Sequence, residues 1–264
     1  MLFAALQFDI AWEDKPANHA RIESLIASAA LPPGSFLLLP ELADTGFSLN
    51  IPSIVSELSL TWARSLAQRF KIYVQHGFPE LGPDARGRNT AAIISPDGLL
   101  LGKYHKIHPF SYGKESTHYS AGDSLLIADC NHVNVCPLVC YDLRFPELFR
   151  LAVSAHPPAE IFTIGASWPA ARQHHWRSLA IARAIENQSF VVAVNRIGND
   201  PHVSYVGGSL IVSPKGDILA EADDRTALLT AELDLQSLRK WREQFPALRD
   251  LNACHLGSVT INRA

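Results

Sequence analysis

Apolar and polar residues along the first part of the chain predict strands and helices in alternation. Three apolar runs rich in aromatic or β-branched residues predict buried strands at residues 2–10, 36–40 and 71–78. Between them, apolar positions recur at helical spacing, which predicts helices at residues 17–30 and 56–70. This order is typical of a β-α-β-α-β unit with a parallel sheet.

Two later stretches resemble each other and predict β-hairpins. Residues 91–104 and 208–222 each contain an apolar run, then Ser-Pro-x-Gly, then a second apolar run. Proline suits the first corner of such a turn, and glycine suits the corner that needs a positive φ. A helix at residues 177–188 and a strand at 190–195 are predicted before the second hairpin. The pattern therefore predicts two similar halves stacked into one α/β unit, with sheets inside and helices outside.

The composition narrows the class of protein. Hydrophobic residues make up 47% of the 264 residues and charged ones 19%, so a sizeable core is expected. The formal net charge of -3 offers no basic surface for nucleic acid. Residues 1–12 lack the features of a secretory signal peptide, and no apolar stretch reaches the roughly 18 residues that cross a bilayer. We expect one cytoplasmic domain over residues 1–264.

One of the four cysteines stands in a suggestive position. Cys140 ends an apolar run, so its thiol would lie at the carboxyl edge of a sheet, where α/β proteins commonly place ligand sites. Cys130, Cys136 and Cys254 are expected to be reduced core residues, because cytoplasmic thiols stay reduced and free cysteine packs as a small apolar side chain. Position alone would assign Cys140 to the core as well, so it needs partners before it can be a nucleophile.

Three charged residues in other segments are candidate partners for that thiol. Glu41 directly follows a predicted strand and could take the thiol proton and return it to a leaving amine. Lys106, in a basic stretch after the first hairpin, would lower the pKa of the thiol and stabilise an oxyanion. Glu115 would hold the lysine charged and in place. Each of the three also has an ordinary interpretation as a solvated surface residue.

Together, these segments resemble the nitrilase, or carbon-nitrogen hydrolase, superfamily. The resemblance lies in LPE followed by TGF around Glu41, in YHKIHPF around Lys106 and in VCYDLRFPE around Cys140. It extends from ALQFDIAW near the start, through HW and RAIENQ, to the SPKGDIL hairpin. Membership implies a four-layer α-β-β-α sandwich, a Glu-Lys-Cys triad without metal or organic cofactor, and a homodimer formed through the helical layers.

The resemblance also implies a role for each residue. Cys140 would be the nucleophile, Glu41 the general base and acid, and Lys106 the oxyanion stabiliser. Glu115 matches an additional family glutamate that precedes a Gly-Asp pair, and the backbone N–H of Tyr141 would complete the oxyanion hole. The thiolate would attack an amide carbonyl, Glu41 would protonate the departing ammonia, and water would then cleave the thioester.

Within the superfamily, residues 166–176 (ASWPAARQHHW) look most like the ω-amidases, which hydrolyse the terminal amide of 2-oxo dicarboxylic acid monoamides such as 2-oxoglutaramate. The carboxylate of such a substrate needs a cation, and Arg172 is the candidate. Trp168 and Phe47 would form walls around the short carbon chain. Arg144, four residues past the thiol, is expected to make a structural ion pair instead.

Other functions stay open. CYDLRFPE does not separate an ω-amidase from an amidase that acts on deaminated glutathione, and an N-carbamoyl amino acid hydrolase or an aliphatic nitrilase would share the triad. A non-enzymatic metal-binding module would rest on His174, His175 and His202. Adjacent histidines point in different directions, however, and no cysteine or carboxylate completes a ligand set. We therefore expect no metal and no cofactor, and a small amide as the substrate.

Overall fold

Two large β-sheets form the centre of the protein in the computed structural model, which describes residues 1–252, 257 and 260–263. Cys254 lies outside these residues. The strands are β1 (Leu2–Gln7), β2 (Phe36–Leu38), β3 (Tyr73–Leu81), β4 (Gly87–Ile94), β5 (Leu100–His105), β6 (Ser124–Asp129), β7 (Asn134–Val139), β8 (Ile161–Ala166), β9 (Phe190–Asn195), β10 (Ile197–Asn199), β11 (Ser204–Val206), β12 (Leu210–Val212), β13 (Ile218–Glu221), β14 (Ala227–Glu232) and β15 (Thr260–Arg263). The helices are α1 (Lys15–Ala29), α2 (Ile51–Ile54), α3 (Leu58–Phe70), α4 (Glu115–His118), α5 (Pro146–Val153), α6 (Gln173–Glu186) and α7 (Leu235–Gln244).

The first sheet contains the predicted β-α-β-α-β unit. Its strand order is β14-β1-β2-β3-β4-β5, and β1, β2 and β3 run parallel. Helix α1 begins two residues before the predicted start, because the Asp14 side chain caps it by accepting a hydrogen bond from the Ala17 N–H at 3.0 Å. The second sheet has the order β13-β12-β9-β8-β7-β6-β15, and β7, β8 and β9 are parallel within it.

Both predicted hairpins are present. Strands β4 and β5 pair antiparallel, as do β12 and β13. The glycines of the two Ser-Pro-x-Gly turns have positive φ angles, +77° at Gly98 and +91° at Gly216. The turn prediction is therefore confirmed, and it rests on the freedom of glycine to adopt this conformation.

The two sheets pack face to face, and helices cover their outer faces. Phe3 of β1 faces the second sheet and shares a core with Leu138 of β7, whereas Leu6 of β1 packs with Ile22 and Ile26 of α1. Side chains at odd positions of β1 therefore face the other sheet, and those at even positions face the helices, because successive side chains of a strand point to opposite faces.

On the far side, the second sheet is covered by helices α5 and α6. The ring of Phe149 in α5 lies 4.7 Å from that of Phe162 in β8, and Trp176 of α6 is fully buried. The predicted four-layer α-β-β-α sandwich is confirmed. In the described part of the chain, no helix is both long enough and apolar enough to cross a membrane.

Two glycines, one from each sheet, leave room for the segment that ends at Glu41. A Cβ atom at Gly77 of β3 would fall 2.7 Å from the backbone oxygen of Pro40, and one at Gly165 of β8 would fall 2.8 Å from that of Leu39. Any larger residue would push away the segment that ends at Glu41. The carboxyl ends of β2, β7 and β8 therefore meet at one edge of the sandwich.

Candidate active site

Cys140 lies on a tight turn directly after strand β7. The turn is a short 3-10 segment, Cys140–Arg144, and Cys140 itself has a φ of +45°. A residue with a side chain pays roughly 1–2 kcal/mol for this left-handed conformation, so surrounding contacts must hold it. One such contact comes from α6, where the Arg183 guanidinium donates two hydrogen bonds to the Leu143 carbonyl at 3.0 and 2.8 Å.

A buried carboxylate, Asp142, supplies the other contacts that hold the turn. Its Oδ2 accepts from the Tyr104 hydroxyl at 2.7 Å and from the Val139 N–H at 3.2 Å. Its Oδ1 accepts from the His108 N–H at 3.0 Å. The carboxylate therefore links β5 and the segment after it to the turn that carries the thiol.

Glu41, Lys106 and Glu115 form a buried network beside this turn. The Lys106 ammonium donates to Glu41 Oε1 at 2.7 Å and to Glu115 Oε2 at 2.9 Å, and all three side chains are at most 1% exposed. The Asn89 amide donates to both carboxylates, at 2.8 and 2.9 Å. The backbone N–H of Ser167, which follows β8, donates to Glu41 Oε2 at 3.0 Å. These contacts fix both oxygens of Glu41.

The charges of the network decide its protonation states. Burial alone would lower the pKa of Lys106, but the charges of Glu115 and Glu41 raise it well above its ordinary value, so the ammonium stays charged. Burial raises the pKa of Glu115. Burial and then the charge of Glu41 raise the pKa of the Cys140 thiol well above its ordinary value, although Lys106 opposes this shift.

Lys106 acts on the thiol in the expected direction, but burial and the charge of Glu41 outweigh it, so the net pKa of Cys140 is raised. The ammonium is already neutralised by two carboxylates, and burial penalises the thiolate. At neutral pH the resting group is the thiol. An attack by sulfur on a substrate thus needs a base that takes the proton during the reaction.

These groups open into a cavity of about 600 Å³. Seven of the eight residues predicted from the sequence line it, namely Glu41, Lys106, Cys140, Tyr141, Trp168, Arg172 and Phe47. Glu115 does not line the cavity and lies behind Lys106. The hairpin of β10 and β11 contributes Asp200, His202, Val203 and Tyr205 to the opposite wall, which sequence reasoning did not place there.

The aromatic walls of the cavity are held by specific contacts. The Trp168 indole N–H donates to the Arg172 carbonyl at 2.8 Å, and its backbone N–H donates to the Asn195 side chain at 2.7 Å. The Phe47 ring lies 5.5 Å from the Lys106 ammonium, and the Arg172 guanidinium lies 5.4 Å from the Phe110 ring. The cavity therefore combines apolar walls with a few charged groups, as small-molecule sites commonly do.

The expectation of a structural ion pair for Arg144 is wrong. Among the described residues this side chain has no carboxylate partner; its guanidinium lies 4.7 Å from the Trp168 ring and 3.3 Å from the His175 Nδ1. It lines the cavity, and burial together with the nearby charge of Arg172 lowers its pKa. Two guanidinium groups thus face the same space.

Two further cysteines and the three histidines considered as metal ligands have defined positions. Cys130 and Cys136 are free and buried, as expected for core residues, and burial raises the pKa of each thiol. The rings of His174 and His175 lie 5.0 Å apart, and His202 lines the cavity. Within residues 1–252, 257 and 260–263, those three histidines do not form a metal-ligand cluster with a carboxylate. A different set of two histidines and one aspartate does lie close enough to hold a metal ion.

Sequence reasoning missed three residues that shape the site: Asn89, Asp142 and Ser167. Asn89 lies two residues before the first predicted hairpin and Asp142 lies within the motif around Cys140, but neither position indicates which groups it will contact. Ser167 contributes a backbone N–H, for which the residue type carries no signal.

Comparison with known proteins places the chain in a family. The carbon-nitrogen hydrolase family model matches residues 2–243. The 2-oxoglutaramate amidase of Bacillus subtilis is 33% identical over 252 residues, which cover 94% of this chain and 96% of that protein. Omega-amidase YafV of Escherichia coli K12 is 33% identical over 255 residues, covering 95% and 96%.

Solved structures agree with the sequence comparisons. XC1258 from Xanthomonas campestris, a CN-hydrolase superfamily protein with an arsenic adduct in its active site, superposes with a TM-score of 0.89 at 29% identity and covers 96% of this chain and 97% of that one. A member of branch 10 of the nitrilase superfamily from Saccharomyces cerevisiae gives a TM-score of 0.84 at 29% identity over 93% and 94%. Sequence and fold together show that this chain belongs to the carbon-nitrogen hydrolase family.

Proposed function

We propose that this protein is an ω-amidase, which hydrolyses the terminal amide of 2-oxoglutaramate or 2-oxosuccinamate to the acid and ammonia through a thioester on Cys140. One observation carries the proposal. The buried side chains of Glu41, Lys106 and Cys140 line one cavity, and the guanidinium groups of Arg144 and Arg172 line the same cavity. The names of the Bacillus and Escherichia relatives support the substrate class.

In the first half of the reaction, the Cys140 sulfur attacks the amide carbon while Glu41 takes the thiol proton. The carbonyl oxygen gains the negative charge, and the charged Lys106 together with the backbone N–H of Tyr141 stabilises it. Glu41 then gives the proton to the nitrogen as the C–N bond breaks. Ammonia leaves and a thioester to Cys140 remains.

In the second half, Glu41 removes a proton from water, which attacks the thioester carbon. The same oxyanion forms again at Lys106 and Tyr141, and it collapses as the sulfur leaves and recovers a proton from Glu41. One carboxyl group acts as base and acid in turn, so no proton is gained or lost over the cycle. The scheme is ping-pong, because ammonia leaves before water reacts.

Glu115 acts through Lys106 and is a positioning residue in this scheme. Its carboxylate accepts from the ammonium and from the Phe110 N–H at 2.6 Å, and Asn89 ties it to Glu41. This arrangement keeps the ammonium charged and points it at the cavity. Lys106→Met should therefore leave substrate binding largely intact and lower kcat.

Arg172 and Arg144 are the proposed partners of the substrate carboxylate, with Trp168 and Phe47 beside its carbon chain. A charge-assisted hydrogen bond contributes about 1.5–3 kcal/mol, which corresponds to roughly 10–150-fold in affinity. Arg172→Met and Arg144→Met should raise KM for a 2-oxo acid monoamide by such factors. A neutral amide of similar length, used as the control, should lose little.

Ammonia release from 2-oxoglutaramate, deaminated glutathione, an N-carbamoyl amino acid and an aliphatic nitrile tests the proposed substrate. We expect the highest kcat/KM with 2-oxoglutaramate. Preference for one of the other three compounds would reject the ω-amidase assignment and leave the Glu41, Lys106 and Cys140 chemistry in place. A protein that released ammonia from none of them would reject the proposed function.

We also propose that the chain acts as one domain and as a homodimer in the cytoplasm. Two half-exposed apolar side chains, Ile185 of α6 and Phe245 after α7, support an apolar contact between two copies of the chain. Light scattering on the purified protein should give twice the 29.0 kDa of one chain. A mass of one chain would reject the dimer.

A further inference from the structure

A second group of ionisable side chains lies outside the cavity, next to the loop that carries Glu41. His19 belongs to α1, His76 to β3, and Asp44 to the loop after β2. One ligand atom from each lies within 4.8 Å of the other two. We propose that His19, Asp44 and His76 bind a divalent transition-metal ion of the Zn²⁺ class.

The two distances from the imidazoles to the carboxylate fit a shared metal centre. The Nε2 atoms of His19 and His76 lie 3.3 and 3.4 Å from the same oxygen, Oδ2 of Asp44. Tetrahedral Zn²⁺ with bonds of about 2.0–2.1 Å separates its ligand atoms by about 3.3–3.4 Å. Two imidazoles and one carboxylate are also a common protein ligand set for catalytic zinc and for other divalent transition metals.

The hydrogen bonding of the group leaves capacity for such an ion. The side chains of His76 and Asp44 are fully buried. Within the described residues, both ring nitrogens of His76 and the Oδ1 of Asp44 have no hydrogen-bond partner. Buried polar groups are normally satisfied, so these atoms need an explanation. A cation between the three side chains would satisfy the Nε2 of His76, and a carboxylate that binds it through both oxygens would satisfy Oδ1 of Asp44 as well.

The three ligands are also held in place by their neighbours. The His19 ring stacks on Trp62, with centroids 4.0 Å apart and planes within 1°. The backbone of Asp44 is fixed by a hydrogen bond from the Asn18 side chain at 2.9 Å. The His19 side chain is 14% exposed, so an ion from solvent can reach the group along α1. The ligand geometry is thus largely preorganised.

Lys15 sets the affinity of the proposed site. Its ammonium lies 3.8 Å from Asp44 Oδ2 and also donates to the Ser59 hydroxyl at 2.6 Å. A positive charge this close opposes the binding of a cation. Replacement of Lys15 by methionine removes this charge and should therefore tighten metal binding.

An ion at this position would stabilise the loop of Glu41 without entering the reaction. Asp44 follows Glu41 by three residues, and the neighbour of His76, Gly77, accepts a hydrogen bond from the Ala43 N–H at 2.8 Å. Bound metal would join α1, β3 and this loop through one centre. Because the ion binds the folded chain, it should raise the Tm in a concentration-dependent way.

Titration of the full chain with Co²⁺ and Zn²⁺ tests the site. Cys140→Ala serves as the parent, because a metal could otherwise bind the active-site thiol. We expect one equivalent of Co²⁺ with visible absorption bands, competition by Zn²⁺, and a higher Tm. Loss of an outer partner of a metal ligand already costs about 10–100-fold in affinity, so His19→Ala and His76→Gln should each weaken binding by at least about 100-fold.

His174→Ala, which removes a histidine elsewhere, should bind metal as the parent does, and Lys15→Met should bind it more tightly. Circular dichroism shows whether each variant is folded; if buried His76 cannot be replaced, His19→Ala on the partly exposed helix carries the test alone. No binding by the parent, unchanged binding in His19→Ala, or equal loss in His174→Ala would overturn the proposal.

Discussion

Replacement of Asp142 by asparagine tests how the turn at Cys140 is held. The Asp142 carboxylate accepts from the Val139 N–H and the Tyr104 hydroxyl on one oxygen and from the His108 N–H on the other. An asparagine side chain has one acceptor oxygen and an NH₂ donor. In either orientation, one of the two backbone N–H groups would face a donor and lose its partner.

The size of the effect follows from these contacts. A hydrogen bond to a charged group contributes about 1.5–3 kcal/mol, and a buried donor without a partner costs about 1–3 kcal/mol. Because the two effects overlap, we expect the free energy of unfolding to fall by about 2–4 kcal/mol. Without this support Cys140 would relax from its positive φ, and a thiol displaced by about 1 Å should lower kcat by roughly 100-fold.

Denaturant unfolding and kcat for the best amide substrate measure the two effects. Tyr104→Phe is the matched control, because it removes one donor and leaves both backbone N–H groups bonded to the carboxylate. The loss of one hydrogen bond to a charged group, and of the acceptor for the Ile107 N–H, should cost about 1.5–3 kcal/mol but leave kcat nearly unchanged. An Asp142→Asn protein that unfolds within about 0.5 kcal/mol of the parent and turns over at its rate would refute this reasoning.

Three further substitutions probe the buried network. Glu41→Gln should abolish amide hydrolysis. It should also shift the pH dependence of Cys140 alkylation by iodoacetamide to lower pH, because the charge of Glu41 helps to raise the pKa of the thiol and Lys106 opposes it. A shift to higher pH would contradict this. Glu115→Gln should lower kcat by at least about 10-fold with little change in KM, since Glu115 does not line the cavity; an effect on KM alone would argue against a positioning role. Gly165→Ala should lower both Tm and kcat, because its Cβ would fall 2.8 Å from a backbone oxygen just before Glu41; full activity would show that the strands can separate there.

The strands and helices near the site were predictable because their signals are local. Apolar runs and helical spacing predicted β1, α1, β2, α3 and β3, and the Ser-Pro-x-Gly turns predicted both hairpins. Motif order then placed Glu41, Lys106 and Cys140 together. The hairpin of β10 and β11, which closes one wall of the cavity, has strands of only three residues and leaves no periodic pattern.

The contacts between segments were not predictable from one sequence. Asp142 meets donors from β5 and beyond, and Gly165 approaches the segment before Glu41 from the other sheet. Arg144 was misjudged because a charged side chain was assumed to need a carboxylate, whereas an aromatic face, that of Trp168, receives its guanidinium. The net rise in the pKa of Cys140 was not predictable, because burial cannot be read from residue type.

Ammonia release from 2-oxoglutaramate by Cys140→Ala tests the central claim most directly, with Cys136→Ala as the matched control. Both residues are buried thiols. Cys140 begins the turn after β7 and lines the cavity, whereas Cys136 lies within β7 and does not line it. Cys140→Ala should fold normally and lose at least about 10⁴-fold in kcat, and Cys136→Ala should keep its rate. Comparable turnover by Cys140→Ala and the parent would contradict a thioester mechanism at this residue.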